Sequence, residues 1–226
     1  GVFDGNGKTL TVNYSGSDEQ AGIFATLDGT VKNLRVAGSF TTTATAKVTL
    51  GAVAGKLGEK AQIVGCTNTA GIAMNVDASG TTVIGGIFGQ GAAGNVIADN
   101  TNEGRITVRR KTPGDAAAVA GVGGWAYSDV TGCVNKGEIR YSDEVSAAKA
   151  VYVGGVLGRL DIGKGYVVEG CRNEAPVTLA TAQAANNLLG GIAAYANGEN
   201  RDTPNTIRNC ENRGDVLADA PVDTVY

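Results

Sequence analysis

The chain repeats itself. A unit of the form Ile84-Gly85-Gly86-Ile87-Phe88-Gly89, followed by Ile97-Ala98-Asp99-Asn100-Thr101-Asn102-Glu103-Gly104-Arg105-Ile106, recurs along most of its length. The first half returns at Ala21-Gly22-Ile23-Phe24, Leu50-Gly51-Ala52-Val53, Val119-Ala120-Gly121-Val122, Val153-Gly154-Gly155-Val156 and Leu189-Gly190-Gly191-Ile192. The second half returns around Cys66-Thr67-Asn68, Cys133-Val134-Asn135, Cys171-Arg172-Asn173 and Cys210-Glu211-Asn212, with a degenerate copy at Leu34-Arg35-Val36. Measured at the Cys register (Leu34, Cys66, Asn100, Cys133, Cys171, Cys210), the spacings are 32, 34, 33, 38 and 39 residues. Motifs that hold while the period drifts indicate a solenoid, whose turns accept insertions around fixed strands.

Each unit divides into three short apolar runs, such as Val83–Phe88, Asn95–Ala98 and Arg105–Arg109, separated by Gly, Asn or charged residues. Runs of this length rich in Val, Ile and Thr, without a 3.6-residue stripe, predict strands. Three strands per coil of this period predict an all-β, right-handed parallel β-helix of about six coils. Residues 1–48 read as N-terminal degenerate coils and 49–226 as five regular repeats, together one solenoid domain and part of a larger protein. At about 4.8 Å per rung the core would be on the order of 30 Å tall. Leucine-rich repeats and propeller blades of similar period carry other signatures.

Alternation puts Cys66 and Asn68 on one strand face, so an inward Cys implies an inward Asn. Asn68, Asn102, Asn135, Asn173 and Asn212 are therefore expected to stack as a ladder of amides bonding one another and the turn backbone. Cys66, Cys133, Cys171 and Cys210 fall one per repeat, unlike the paired spacing of a zinc cluster. Side-by-side Cβ vectors suit a disulfide poorly, which predicts free, buried thiols. After the Asn, the outward residues Thr69, Glu103, Lys136, Glu174 and Arg213 alternate in sign, as do Arg105 and Glu138. This pattern predicts opposite charges pairing between neighbouring coils. Polar breaks at Gly38–Lys47, Arg109–Ala116, Tyr141–Lys149 and Asn197–Asn205 read as loops.

Composition narrows function mainly by exclusion. There is no histidine, which removes Ser-His-Asp and Cys-His catalysis and most zinc chemistry. A net charge of −3 offers no basic field for nucleic acid, and no run approaches the about 18 apolar residues of a membrane span. No cofactor or metal site is expected. The chain opens on Gly1 without a signal-like segment, so any export signal is expected outside it. Gly7-Lys8-Thr9 lacks the earlier glycine and the following helix of a P-loop. Asp4-Gly5-Asn6 lacks the later ligands of a calcium loop, and the opening reads as a turn followed by a strand from Lys8 to Tyr14.

The φ-Gly-Gly-φ-x-Gly and φ-x-x-Cys-x-Asn-x-Gly-x-φ units resemble the GLUG-type repeat of bacterial surface and secreted proteins. Phe3-Asp4-Gly5-Asn6-Gly7-Lys8-Thr9-Leu10 is similar to the coil that often precedes such repeats. Val153–Gly158 and Ile84–Gly89 match best, and Gly191-Ile192-Ala193-Ala194 lacks the last glycine. The resemblance covers almost the whole chain. It implies a right-handed parallel β-helix in an exported, adhesin-like, extracellular or cell-surface protein, without a known ligand or catalytic residues.

One aligned position after the first run reads Thr26, Lys56, Gln90, Trp125, Arg159, Tyr195. Trp125, Arg159 and Tyr195 are expected to stack with the Arg between two rings, which would brace the turn. With Tyr127, Asp129 and Asp161 they would also form a flat aromatic platform for a sugar. Arg213-Gly214-Asp215 spells an integrin tripeptide but sits in the repeat register, which predicts a coil turn. Arg109-Arg110-Lys111 reads as a solvated loop. The densest acids, Asp143-Glu144 and Glu199 with Asp202, fall in the breaks rather than on one strand face, unlike the clustered carboxylates of β-helix lyases and hydrolases. The sequence thus favours a non-catalytic module that binds or presents a ligand, such as a host or microbial surface glycan or protein, beside flanking domains of its own chain. A carbohydrate-active β-helix enzyme and a ligand-free spacer are the alternatives.

Overall fold

The computed structural model describes residues 1–111, 115–144, 149–161, 165–181, 186–196 and 203–219, together with the backbone of 224–225. All regular structure in them is β-strand, in four parallel sheets. In one coil, Thr82–Gly85 belongs to sheet 1, Phe88–Gln90 to sheet 2 and Val96–Ala98 to sheet 3. Thr101–Asn102 and Ile106–Arg110 both belong to sheet 4. Each strand lies in parallel register between its equivalents in adjacent coils: Ile97 between Ile63 and Val130, and Asn102 between Asn68 and Asn135. Sheets 1 and 3 have seven strands and sheet 2 has six, a parallel β-helix of about six coils. One apolar cluster, from Ala21 to Ala193, fills it.

The three apolar runs are subdivided. The first bends at Gly86-Ile87, so its halves fall in sheets 1 and 2, and the third is preceded by a two-residue strand carrying the Asn. Backbones approach closely around this bend, where Gly85 stands in register with Gly51 and Ala120. A Cβ on Gly85 would lie 2.0 Å from the Phe88 carbonyl oxygen, and one on Gly124 would lie 2.8 Å from the Ile84 nitrogen of the preceding coil. Sheet 2 thereby folds back over the outer side of sheet 1, burying Val83, Ala118 and Tyr152.

The corner between sheets 3 and 4 is set by one residue. Asn33, Gly65, Asp99, Gly132, Gly170 and Asn209, each preceding the Cys register, have φ between 52° and 63°. Only Gly, Asn and Asp occupy this left-handed corner, the types that tolerate it.

The asparagine ladder is present. Asn68 Nδ2 donates to Asn102 Oδ1 (2.8 Å), Asn102 to Asn135 (2.8 Å), Asn135 to Asn173 (2.7 Å) and Asn173 to Asn212 (2.7 Å). Each amide also binds the backbone two residues ahead: Asn68 Oδ1 accepts the Ala70 N–H at 2.9 Å and its Nδ2 donates to the Ala70 carbonyl at 3.1 Å. That clasp breaks sheet 4 into a short and a long strand. Where Leu10 and Val36 take the register, the strands Thr9–Gly16 and Arg35–Thr42 run unbroken. The expected loop at Gly38–Lys47 is therefore strand as far as Thr42, because that coil has no Asn to interrupt it.

Cys66, Cys133 and Cys171 are free and buried; Cys210, in the last described coil, is free and half-buried. Asn100 replaces Cys in one rung by bonding downward, accepting the Cys66 N–H at 2.9 Å and donating to the Ile63 carbonyl at 2.8 Å. Opposite charges pair between neighbouring coils at Arg105–Glu138 (3.1 Å), but the rest of that expectation is corrected. Glu103 reaches two coils back to Arg35 (3.0 Å), while Glu174 and Arg213 pair within their own coils with Arg172 and Glu211. A partner two residues away on the same strand face is as near as one on the next rung.

Candidate site at the aromatic edge

Thr26, Lys56, Gln90, Trp125, Arg159 and Tyr195 stand in unbroken register across sheet 2. They were expected in a turn. They lie on strands, because the Gly-Gly bend comes earlier and the chain resumes its extended course after it. Arg159 sits between the two rings as expected, its guanidinium carbon 4.2 Å from the Trp125 centroid and 5.3 Å from that of Tyr195.

Two further partners complete the cluster. Tyr152, on sheet 1, brings its ring centroid to 5.4 Å from the same guanidinium and packs against Tyr195. Nothing in the repeat alignment marks Tyr152, since its approach depends on sheet 2 folding over sheet 1. Asp161, two residues after Arg159, accepts the indole N–H of Trp125 (3.1 Å) and an Arg159 N–H (3.2 Å). Tyr127 lies parallel to Trp125, with centroids 6.0 Å apart and planes at 8°. Burial, then the Asp161 carboxylate, pushes the Tyr127 phenol up to about 12. Asp129 accepts the Val167 N–H at 2.8 Å. Trp125 and Tyr127 remain half-buried, so the edge is an internally hydrogen-bonded aromatic surface in which Arg159 is paired with Asp161.

Other sequence candidates resolve differently. Arg110 was expected in a solvated loop, but it ends the strand Ile106–Arg110 and is 0% exposed. Strand alternation turns it inward, where it donates to the carbonyls of Asp115 (2.9 Å), Gly80 (3.0 Å) and Ala78 (3.2 Å). Asp143, expected in a loop, is likewise a buried strand residue, accepting from Tyr141 (3.2 Å) and Thr181 (2.6 Å). Glu144 pairs with Arg109. Glu199 and Asp202 lie outside the described residues. In Arg213-Gly214-Asp215, Arg213 N–H donates to Asn173 O (2.8 Å) and Asp215 O accepts from Val177 (2.8 Å), the expected coil turn. Asp4 Oδ1 accepts the Asn6 N–H at 2.9 Å, closing the expected N-terminal turn. Among the described residues, no three of His, Cys, Asp and Glu gather as metal ligands, and no helix is long and apolar enough to cross a membrane.

Comparison with protein-family models, with curated proteins and with solved structures gives no match.

Proposed function

We propose that the chain is a non-catalytic, adhesin-like β-helix module of an exported bacterial surface protein of the GLUG-repeat type, and that it binds a glycan along its aromatic edge. The observation that carries this reading is the parallel pair Trp125–Tyr127 on the outward side of sheet 2. Sugars are held by aromatic faces beside fixed polar groups, and here Arg159 and Asp161 supply those groups in a locked geometry. Catalysis is disfavoured at this edge, because Asp161 and Asp129 are both engaged by donors.

A second reading, a spacer without ligand, is favoured by one fact. Arg159 already lies over Trp125, and the indole N–H is already used. A glycan array with Trp125 fluorescence followed on each hit separates the two. Saturable binding that quenches Trp125, and that Trp125→Ala and Tyr127→Ala abolish, supports the glycan reading. Silence across the array supports the spacer, as does binding that those variants leave unchanged.

A further inference from the structure

The outer face of sheet 4 carries a row of side chains in register from coil to coil: Thr41, Ala73, Thr107 and Arg140. Two residues earlier on each strand runs a second row, Ser39, Gly71, Arg105 and Glu138. Where the following coils project Arg105 and Glu138, the third coil has glycine. Neither conformation nor crowding requires it. Gly71 is not left-handed in φ, and a Cβ there would meet only the Arg105 carbonyl oxygen, at 3.9 Å. Gly104 and Gly137 differ, since a Cβ on either would lie 2.0 Å from a carbonyl oxygen. A strand glycine in open space marks a place where another group can approach the backbone closely. Gly71 and Ala73 floor an open trough of about 230 Å³, walled by Ser39 and Thr41 on one side and by Arg105 and Thr107 on the other.

The chemistry of this face selects its occupant. The strand Gly71–Val76 lies between Arg35–Thr42 and Ile106–Arg110, so it has no backbone edge open to an added peptide strand. What the face offers is side chains at rung spacing, about 4.8 Å apart. The Thr41 and Thr107 hydroxyls make no hydrogen bond among the described residues. The neighbouring cations are already paired, Arg35 with Glu103, Arg105 with Glu138 and Arg109 with Glu144. Arg140 is the exception. It is exposed, one rung beyond Thr107, and has no acidic partner among the described residues.

We propose that this face binds a linear glycan that carries carboxylates, a polyuronate, at a site separate from the aromatic edge on sheet 2. One pyranose settles over Gly71 and Ala73, where the missing side chain lets its ring reach the sheet, and its hydroxyls bond to Thr41 and Thr107. Further along the rod a carboxylate meets Arg140 in the two-pronged pairing that guanidinium and carboxylate favour. An apolar floor with a few placed polar groups is the usual make-up of a small-ligand site.

The test is calorimetric titration of the chain with a 1,4-linked oligouronate long enough to span three coils. The same oligomer, its carboxyls reduced to alcohols, is the comparison. Saturable, salt-weakened binding of the acidic oligomer is expected. The reduced oligomer should bind at least about tenfold more weakly, the factor of one charge-assisted hydrogen bond. Arg140→Gln should weaken binding of the acidic oligomer by the same factor. Gly71→Val should abolish it without lowering the thermal midpoint, because the added side chain enters open space. No binding of the oligouronate, equal binding of its reduced form, or binding that Gly71→Val and Arg140→Gln leave intact would each overturn the proposal. Binding lost in Trp125→Ala would place the oligomer at the aromatic edge and overturn it as well, so the two surfaces are judged separately.

Discussion

Gly155 and Asn173 form one packing unit: a Cβ on Gly155 would lie 2.5 Å from the Asn173 amide carbon and 2.0 Å from the Gly191 carbonyl oxygen. The two motifs of the repeat are thus two sides of one contact. The coil of Asn68 takes Ala52 at this position, so one methyl is accommodated beside that Asn, and in the coil where Val36 replaces Asn the second small residue is missing. There Ala21 pairs with Leu50 but Phe24 with Ala54, one residue fewer in the earlier coil. Gly155→Ala should therefore cost about 1–3 kcal/mol through overpacking. Ala52→Gly, in the bend between Val48–Gly51 and Ala54–Leu57, should cost about 0.5–1 kcal/mol through the greater backbone entropy of glycine in the unfolded chain. Thermal melts of the two variants give the comparison, and equal losses would contradict it.

The ladder should be stiffest in its middle. Asn102→Ala removes the bonds to Asn135 and to the Gly104 carbonyl and strands the donor of Asn68. With buried groups left unmade at about 1–3 kcal/mol each, a loss of about 3 kcal/mol is expected. Asn212→Ala strands fewer groups, at an exposed position, and should cost less than about 1 kcal/mol by the same principle. Urea titrations of both variants would show the difference; similar midpoints would mean that the backbone rungs, not the amides, hold the coils together.

The coil, its period and the amide ladder were legible because each reduces to a residue type recurring at one register. The stack of Trp125, Arg159 and Tyr195 was legible for the same reason. What escaped the sequence arose where one segment folds onto another. Tyr152 reaches Arg159 only because sheet 2 lies over sheet 1. Arg110 carries the residue type of a surface and the position of a core, and nothing local says that three carbonyls await it. The doubling of the first run into two strands depends on a bend of two residues, too short to show as a gap in an apolar pattern.

Alkaline pH should destabilise the fold. Burial raises the phenols of Tyr127, Tyr141, Tyr14 and Tyr166 above their ordinary value of 10.0, that of Tyr127 to about 12. In the unfolded chain these groups ionise near pH 10 while the folded chain still holds them neutral. The share of stability held by these phenols is therefore full below pH 10 and falls as pH rises toward 12. The raised Cys66 and Cys171 thiols, with an ordinary value of 9.0, begin a decline earlier, so urea midpoints should fall from about pH 9 and more steeply beyond about 10. Tyr127→Phe should flatten the decline, and a profile unchanged by that substitution would remove Tyr127 from the account.

Thiol reactivity should follow the rod. Cys66, Cys133 and Cys171 are buried and out of a reagent's reach, and burial pushes the thiols of both Cys66 and Cys210 up, so exposure and not acidity sets the order. Cys210 is half-buried at the last described coil. Ellman's reagent should modify Cys210 first in the native chain and the other three only on unfolding. Mass spectrometry of the singly labelled species identifies the site; label on Cys66 before Cys210 would contradict the ordering.

Arg110 gives the last prediction and the largest. Its guanidinium, wholly buried, closes the carbonyls of Ala78, Gly80 and Asp115. Arg110→Ala leaves these three acceptors without their donor, so the expected loss is about 3–5 kcal/mol. Arg110→Lys keeps the charge but not the planar fork that spans three carbonyls, and should recover less than half of that loss. Arg109→Ala, beside it on the same strand, removes only an exposed pair with Glu144 and should change stability by less than about 1 kcal/mol. Differential scanning calorimetry of the three variants separates a buried structural arginine from a solvated basic run, in which all three substitutions would be equally mild.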